Sequence, residues 1–187
     1  MIYGFAMQFD ISNAELRKAA VPHEIFLFNL IGNHILIFIA SLGMFRSFPY
    51  PLYLVPVISL SSLVYTLWRA KRSLRMDAWF ALCHWQVAAR RAKVFVGMLS
   101  LLGIVSLLGW GGYIYLGMMK EAVYALIGGI GLLPTMMTML ILIIMESDGL
   151  YQAHQRKLPS WVVKKFPREG KRVGIVAQSG LAQPDTR

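Results

Sequence analysis

Between Ile25 and Phe45 the chain reads IFLFNLIGNHILIFIASLGMF, a run without a single Lys, Arg, Asp or Glu. A bilayer hydrocarbon core about 30 Å thick is crossed by about 20 apolar residues in helical form. Three further stretches pass the same test, at 52–68, 94–119 and 124–145, and they also carry no charged residue. Tyr50, Tyr53, Tyr65, Trp68, Trp110, Tyr113, Tyr115 and Tyr124 gather near the ends of these runs, where aromatic rings favour the headgroup region. The pattern predicts an all-α integral membrane protein with four transmembrane helices.

Composition agrees. Hydrophobic residues make up 57% of the 187-residue chain and charged residues 15%, against roughly 45–50% and 25% in an ordinary soluble domain. A soluble fold so apolar would expose large greasy patches. The net charge of +10 would suit a nucleic-acid binder, but the charges lie between and after the apolar runs, so no nucleic-acid partner is expected. The first apolar run is too long for the core of a cleavable signal peptide, roughly 7–15 residues, and reads as a retained helix.

The connections at 46–51 and 120–123 are short, which predicts two antiparallel helical hairpins. Of the nineteen Lys and Arg residues, only Arg46 and Lys120 fall in these short links. The others lie in the N-terminal segment 1–24, in the link 69–93 and in the tail 146–187. Lys and Arg resist translocation, so the loaded side is expected to be cytoplasmic, with both termini there, in a bacterial inner membrane.

Within the long link, Met76, Trp79, Phe80, Cys83 and Val87 recur at helical spacing. The apolar part is too short to span, so residues 76–93 are expected to form an amphipathic helix on the cytoplasmic membrane surface, set apart from the third spanning helix or running into it without a break, with Asp77 capping its start or favouring its N-terminal dipole. The tail repeats the mixture of aromatic and basic residues from Trp161 to Lys165, which suits an anionic lipid surface. Its last ten or so residues are expected to be disordered.

Chemistry-bearing motifs are sparse. On the first helix, Asn29, Gly32, Asn33, Ala40 and Gly43 share one stripe at 100° per residue and are expected to pack against neighbouring helices. On the fourth, Ala125 and Gly129 form a small-xxx-small pair of the same kind. Pro134 leaves the carbonyl of Ile130 without its donor, and Thr135 and Thr138 are placed to satisfy freed backbone groups. His34 points away from the asparagine stripe, and since a polar ring facing lipid is costly it is expected to hydrogen-bond another helix of this chain or to meet a different subunit. His23, His84 and His154 fall at the cytoplasmic edge, so a second haem ligand at the depth of His34 is missing. Cys83 beside His84 is one pair of potential ligands where a zinc site needs three or four. Glu146 and Asp148 are expected to pair with the basic link. No cofactor, metal or catalytic residue is expected.

The leading function is a non-catalytic accessory, scaffold or assembly subunit of a larger inner-membrane complex. Other membrane-protein subunits and anionic lipid would be its partners, through His34, Trp79, Phe80, Arg90, Arg91 and Trp161. In size and helix number the chain also resembles immunity proteins that block pore-forming bacteriocins, which implies a binding protein for such a partner. A small transporter or channel subunit is the third class.

Overall fold

The computed structural model describes residues 7–44, 46–48 and 50–168; the end of the tail, expected to be disordered, lies outside them. Four long helices dominate: α1 (Asn13–Met44), α2 (Tyr50–Met76), α3 (Trp79–Leu116) and α4 (Lys120–His154). Each is long and apolar enough to cross a membrane, as a multi-pass membrane protein requires. A short helix α5 (Ser160–Lys165) follows. Strand β1 (Met7–Gln8) pairs antiparallel with β2 (Lys157–Leu158), a main-chain tie between the two ends of the described chain that helical periodicity could not announce.

The helices outrun their apolar stretches. The second apolar run stops at Trp68, yet α2 continues through Arg69, Lys71, Arg72 and Arg75 to Met76. A helix does not need apolar residues to continue, and cations favour its last turns. The link expected at 69–93 is therefore reduced to Asp77 and Ala78 between α2 and α3. From Trp79 onward, the residues expected to form a surface helix run without a break into α3 as its first turns.

Their apolar stripe turns inward. Phe80, Cys83 and Val87 are buried with Phe9, Ile11, Ala19, Ala153, Leu158 and Val162, so the chain's own N-terminal segment, α4 and α5 cover it; Met76 alone stays exposed. This second core closes the basic end of the bundle, where the start of α1, the α2–α3 turn and the end of α4 meet. Asp77 caps nothing: its carboxylate takes two bonds from Arg69, at 2.7 and 2.8 Å, and clips the turn shut. Instead the Glu15 carboxylate of α1 accepts the Phe80 N–H at 3.0 Å, placing negative charge at the α3 N-terminus. A mid-bundle core of Phe26, Leu30, Leu63, Ala92, Phe95, Met139 and Leu142 joins all four helices.

Two stretches are wound as π-helix, Phe28–Ile37 in α1 and Ile127–Leu132 in α4. The second directly precedes Pro134, and Thr135 donates to the Gly131 carbonyl at 2.8 Å, as the sequence suggests for a backbone loosened by proline. Gly117, with φ of 64°, ends α3 in the left-handed conformation that glycine adopts freely.

Candidate functional site

Four ionisable side chains from three helices meet inside the basic end. His23 comes from the turn of α1 that follows Pro22, His84 and Arg91 lie two turns apart on α3, and Glu146 closes the apolar run of α4. His23 Nδ1 lies 2.5 Å from Glu146 Oε2, and His23 Nε2 lies 2.9 Å from His84 Nδ1. The Arg91 guanidinium faces Glu146 Oε1 at 3.3 Å, an ionic contact without hydrogen-bond alignment. Relative exposure is 0% for His23 and Glu146 and 1% for His84; the Arg91 side chain keeps 11%.

Donor and acceptor inventory allows one chain of bonds. Glu146 Oε2 accepts the His23 Nδ1 proton, and one N–H closes the contact between His23 Nε2 and His84 Nδ1. The Arg91 guanidinium lies opposite the carboxylate, and an opposite charge offsets part of the cost of burying it; Glu146 Oε1 and Arg91 Nη1 make no hydrogen bond among the described residues. His84 Nε2 remains without a hydrogen-bond partner among the described residues.

Gly149, one helical turn beyond Glu146, makes room for the cluster. A Cβ there would stand 2.6 Å from Arg91 Nη1 and 2.7 Å from His23 Cε1. The alanines Ala81, Ala88, Ala89 and Ala92 on α3 are buried as well, so small side chains bring α3 close to its neighbours at this level.

The expected pairing of Glu146 with basic residues after the second helix is met by Arg91, whereas Asp148 bonds Gln152 at 2.6 Å. Arg91, expected at a partner surface, is thus turned into the bundle. Phe80 is also corrected: it is fully buried. Trp79 and Trp161 are half-buried, and both hold the chain's own tail. Trp79 Nε1 donates to the Phe166 carbonyl at 2.7 Å, and its ring packs edge-on against Phe9. The exposed Arg90 lies 4.7 Å over the Trp161 ring. Of the two contacts expected for His34, the structure shows the one within the chain: it bonds Ser59 of α2 at 2.9 Å.

Of the small and polar stripe, Asn29 and Asn33 are buried, and Asn33 Nδ2 donates to the Val55 carbonyl of α2 at 2.8 Å. Gly32 meets only the Phe28 ring of its own helix. Ala40, Gly43, Ala125 and Gly129 are exposed, and a Cβ on Gly43 or Gly129 would meet nothing within 4 Å. The stripe fails beyond Asn33 because the i→i+5 winding of Phe28–Ile37 rotates later residues away from an ideal 3.6-residue repeat. Close approach occurs instead at Gly109, beside Val123 and Ile127, and at Gly131, beside Leu102.

Compared with protein-family models, curated proteins and solved structures, the chain shows no significant match.

Proposed function

We propose that this chain is a non-catalytic accessory, scaffold or assembly subunit of a larger membrane-protein complex. We place it in a bacterial inner membrane with both ends on the cytoplasmic side, where anionic lipid meets its basic end. The observation that supports this most is the enclosure of His23, His84 and Glu146. These are the side chains best suited to proton or group transfer, yet they are sealed from solvent and joined to one another. A reacting acid or base must come within hydrogen-bond reach of a substrate, and side chains 0–1% exposed offer none. A rigid basic end and long apolar helix faces suit holding other subunits more than converting a substrate. The charge asymmetry supports this orientation: seventeen of nineteen Lys and Arg residues fall outside the two short links, and such residues stay on the cytoplasmic face.

The test is purification from native membranes in mild detergent, paired with deletion of the chain. The expected result is a fixed set of co-purifying membrane subunits whose assembled amount falls when the chain is absent. Recovery of the chain alone, with no membrane assembly altered by its loss, would contradict the proposal.

A further inference from the structure

A cavity of about 400 Å³ lies between the four long helices in the membrane-embedded part of the bundle, within the roughly 300–1,000 Å³ typical of small-molecule sites. Its wall includes His34 of α1, Ser59 of α2, Phe95 and Leu102 of α3, and Thr135 and Met139 of α4. The lining is largely apolar, with a polar pair set into one side. His34 Nε2 and Ser59 Oγ share a hydrogen bond of 2.9 Å, and the imidazole stands edge-on to Phe95 with ring centres 5.1 Å apart. The pair is therefore held in place from two sides.

Three observations define what the cavity would take. The first is chemical: when imidazole N–H donates to Ser59 Oγ, the hydroxyl proton is free for a carbonyl. When the hydroxyl donates to the ring instead, Oγ keeps lone pairs for an incoming O–H. One pair can thus bind both a carbonyl and the corresponding hydroxyl. The second is depth. His34 lies roughly 15 Å deeper than the His23 cluster, at about 1.5 Å per residue. That is near the middle of an apolar core about 30 Å thick. The ester and headgroup oxygens of a phospholipid stay at the interface, so a polar atom at this depth belongs to a molecule soluble in hydrocarbon throughout. The third is backbone form. Both π-helical stretches contribute to the wall, through His34 and Leu132, and π-turns are rare and frequent at functional sites. Leu60, Leu132 and Met136 line the cavity and are exposed, so it opens sideways, toward the bilayer.

We propose that this cavity binds a lipid-soluble quinone, whose ring oxygen bonds the His34–Ser59 pair while its ring lies against Leu99 and Leu102 and its tail leaves past Leu60 and Met136. The site is independent of the accessory-subunit reading, since the purified chain alone would hold it.

The test is photolabelling of the purified full-length chain in nanodiscs with an azido-substituted short-chain ubiquinone, mapped by mass spectrometry. Decylubiquinone and oleic acid serve as separate competitors. The expected result is saturable labelling of peptides bordering the cavity, displaced by decylubiquinone and not by oleic acid. Ser59→Ala should weaken apparent affinity by roughly three- to tenfold, the loss of one hydrogen bond. Met136→Trp, which plugs the mouth and spares the polar pair, should abolish labelling, whereas Leu140→Trp on the exposed face of α4 should leave it unchanged. Equal displacement by oleic acid would make this an acyl-chain cleft and overturn the proposal. So would labelling spread along all four helices, or labelling that survives Met136→Trp.

Discussion

A methyl group at position 149 would come within 2.6 Å of an Arg91 guanidinium nitrogen and 2.8 Å of His23 Nδ1, so the cluster depends on the absence of a side chain as much as on its four ionisable ones. Gly149→Ala should destabilise the folded chain by about 1–3 kcal/mol, the usual cost of overpacking, seen as a lower unfolding midpoint in detergent by circular dichroism. Gly97→Ala is the matched control. A Cβ at Gly97 meets nothing within 4 Å, and alanine in a helix is worth about 0.5–1 kcal/mol over glycine, so its midpoint should hold or rise. Equal losses in both variants would show that backbone freedom, rather than space, is what Gly149 supplies. Little of this was legible in the sequence. Glu146 and Arg91 could be paired by charge, but His23 meets Glu146 across 123 positions and His84 across 61, and local spacing does not encode such distances. The hints that were present are a glycine one turn after a carboxylate at the end of an apolar run, and the alanines that flank His84 and Arg91 on α3.

At the scale of elements, the existence of four apolar helices was legible because bilayer thickness fixes their minimum length. Their ends were not, because charged residues stop an apolar run without stopping a helix, as Arg69 to Met76 shows. The face of α1 beyond Asn33 was hidden by its π-helical stretch, which breaks the repeat that face prediction assumes. The aromatic residues of 76–93 and of the tail were expected to face lipid or a partner; in the fold these two stretches cover each other. Trp79 holds the tail through a bond to the Phe166 carbonyl at 2.7 Å, while Val162 and Leu158 are buried beneath it. Trp79→Phe keeps the ring and removes the N–H. Trypsin should then cut after Lys164 and Lys165 several times faster, consistent with a loss of about 1 kcal/mol for one hydrogen bond, while the four long helices remain intact. An unchanged cleavage rate would mean that the apolar contacts of α5 hold the tail without help from Trp79.

For the whole molecule, the cluster does what a soluble protein leaves to its hydrophobic core. Apolar faces gain little by leaving lipid for one another, so packing and buried polar bonds must hold membrane helices together. The His23–Glu146–His84 chain, with Arg91, ties α1, α3 and α4 at the one end where three helices, the β ladder and α5 converge. We propose that these ionisable groups are structural and take no part in a reaction. A double-mutant cycle on His23 and Glu146 tests it most directly, with unfolding followed in detergent for His23→Leu, Glu146→Leu and the double variant. Breaking a buried pair from one side costs about 3–5 kcal/mol, whereas replacing both partners by apolar groups costs much less than the sum. Each single variant should therefore lower the midpoint sharply, and the double variant should recover part of the loss, with a coupling of roughly 0.5–3 kcal/mol. Single variants that unfold like the parent chain, with no coupling between them, would contradict the account and leave a buried acid and two histidines available for chemistry.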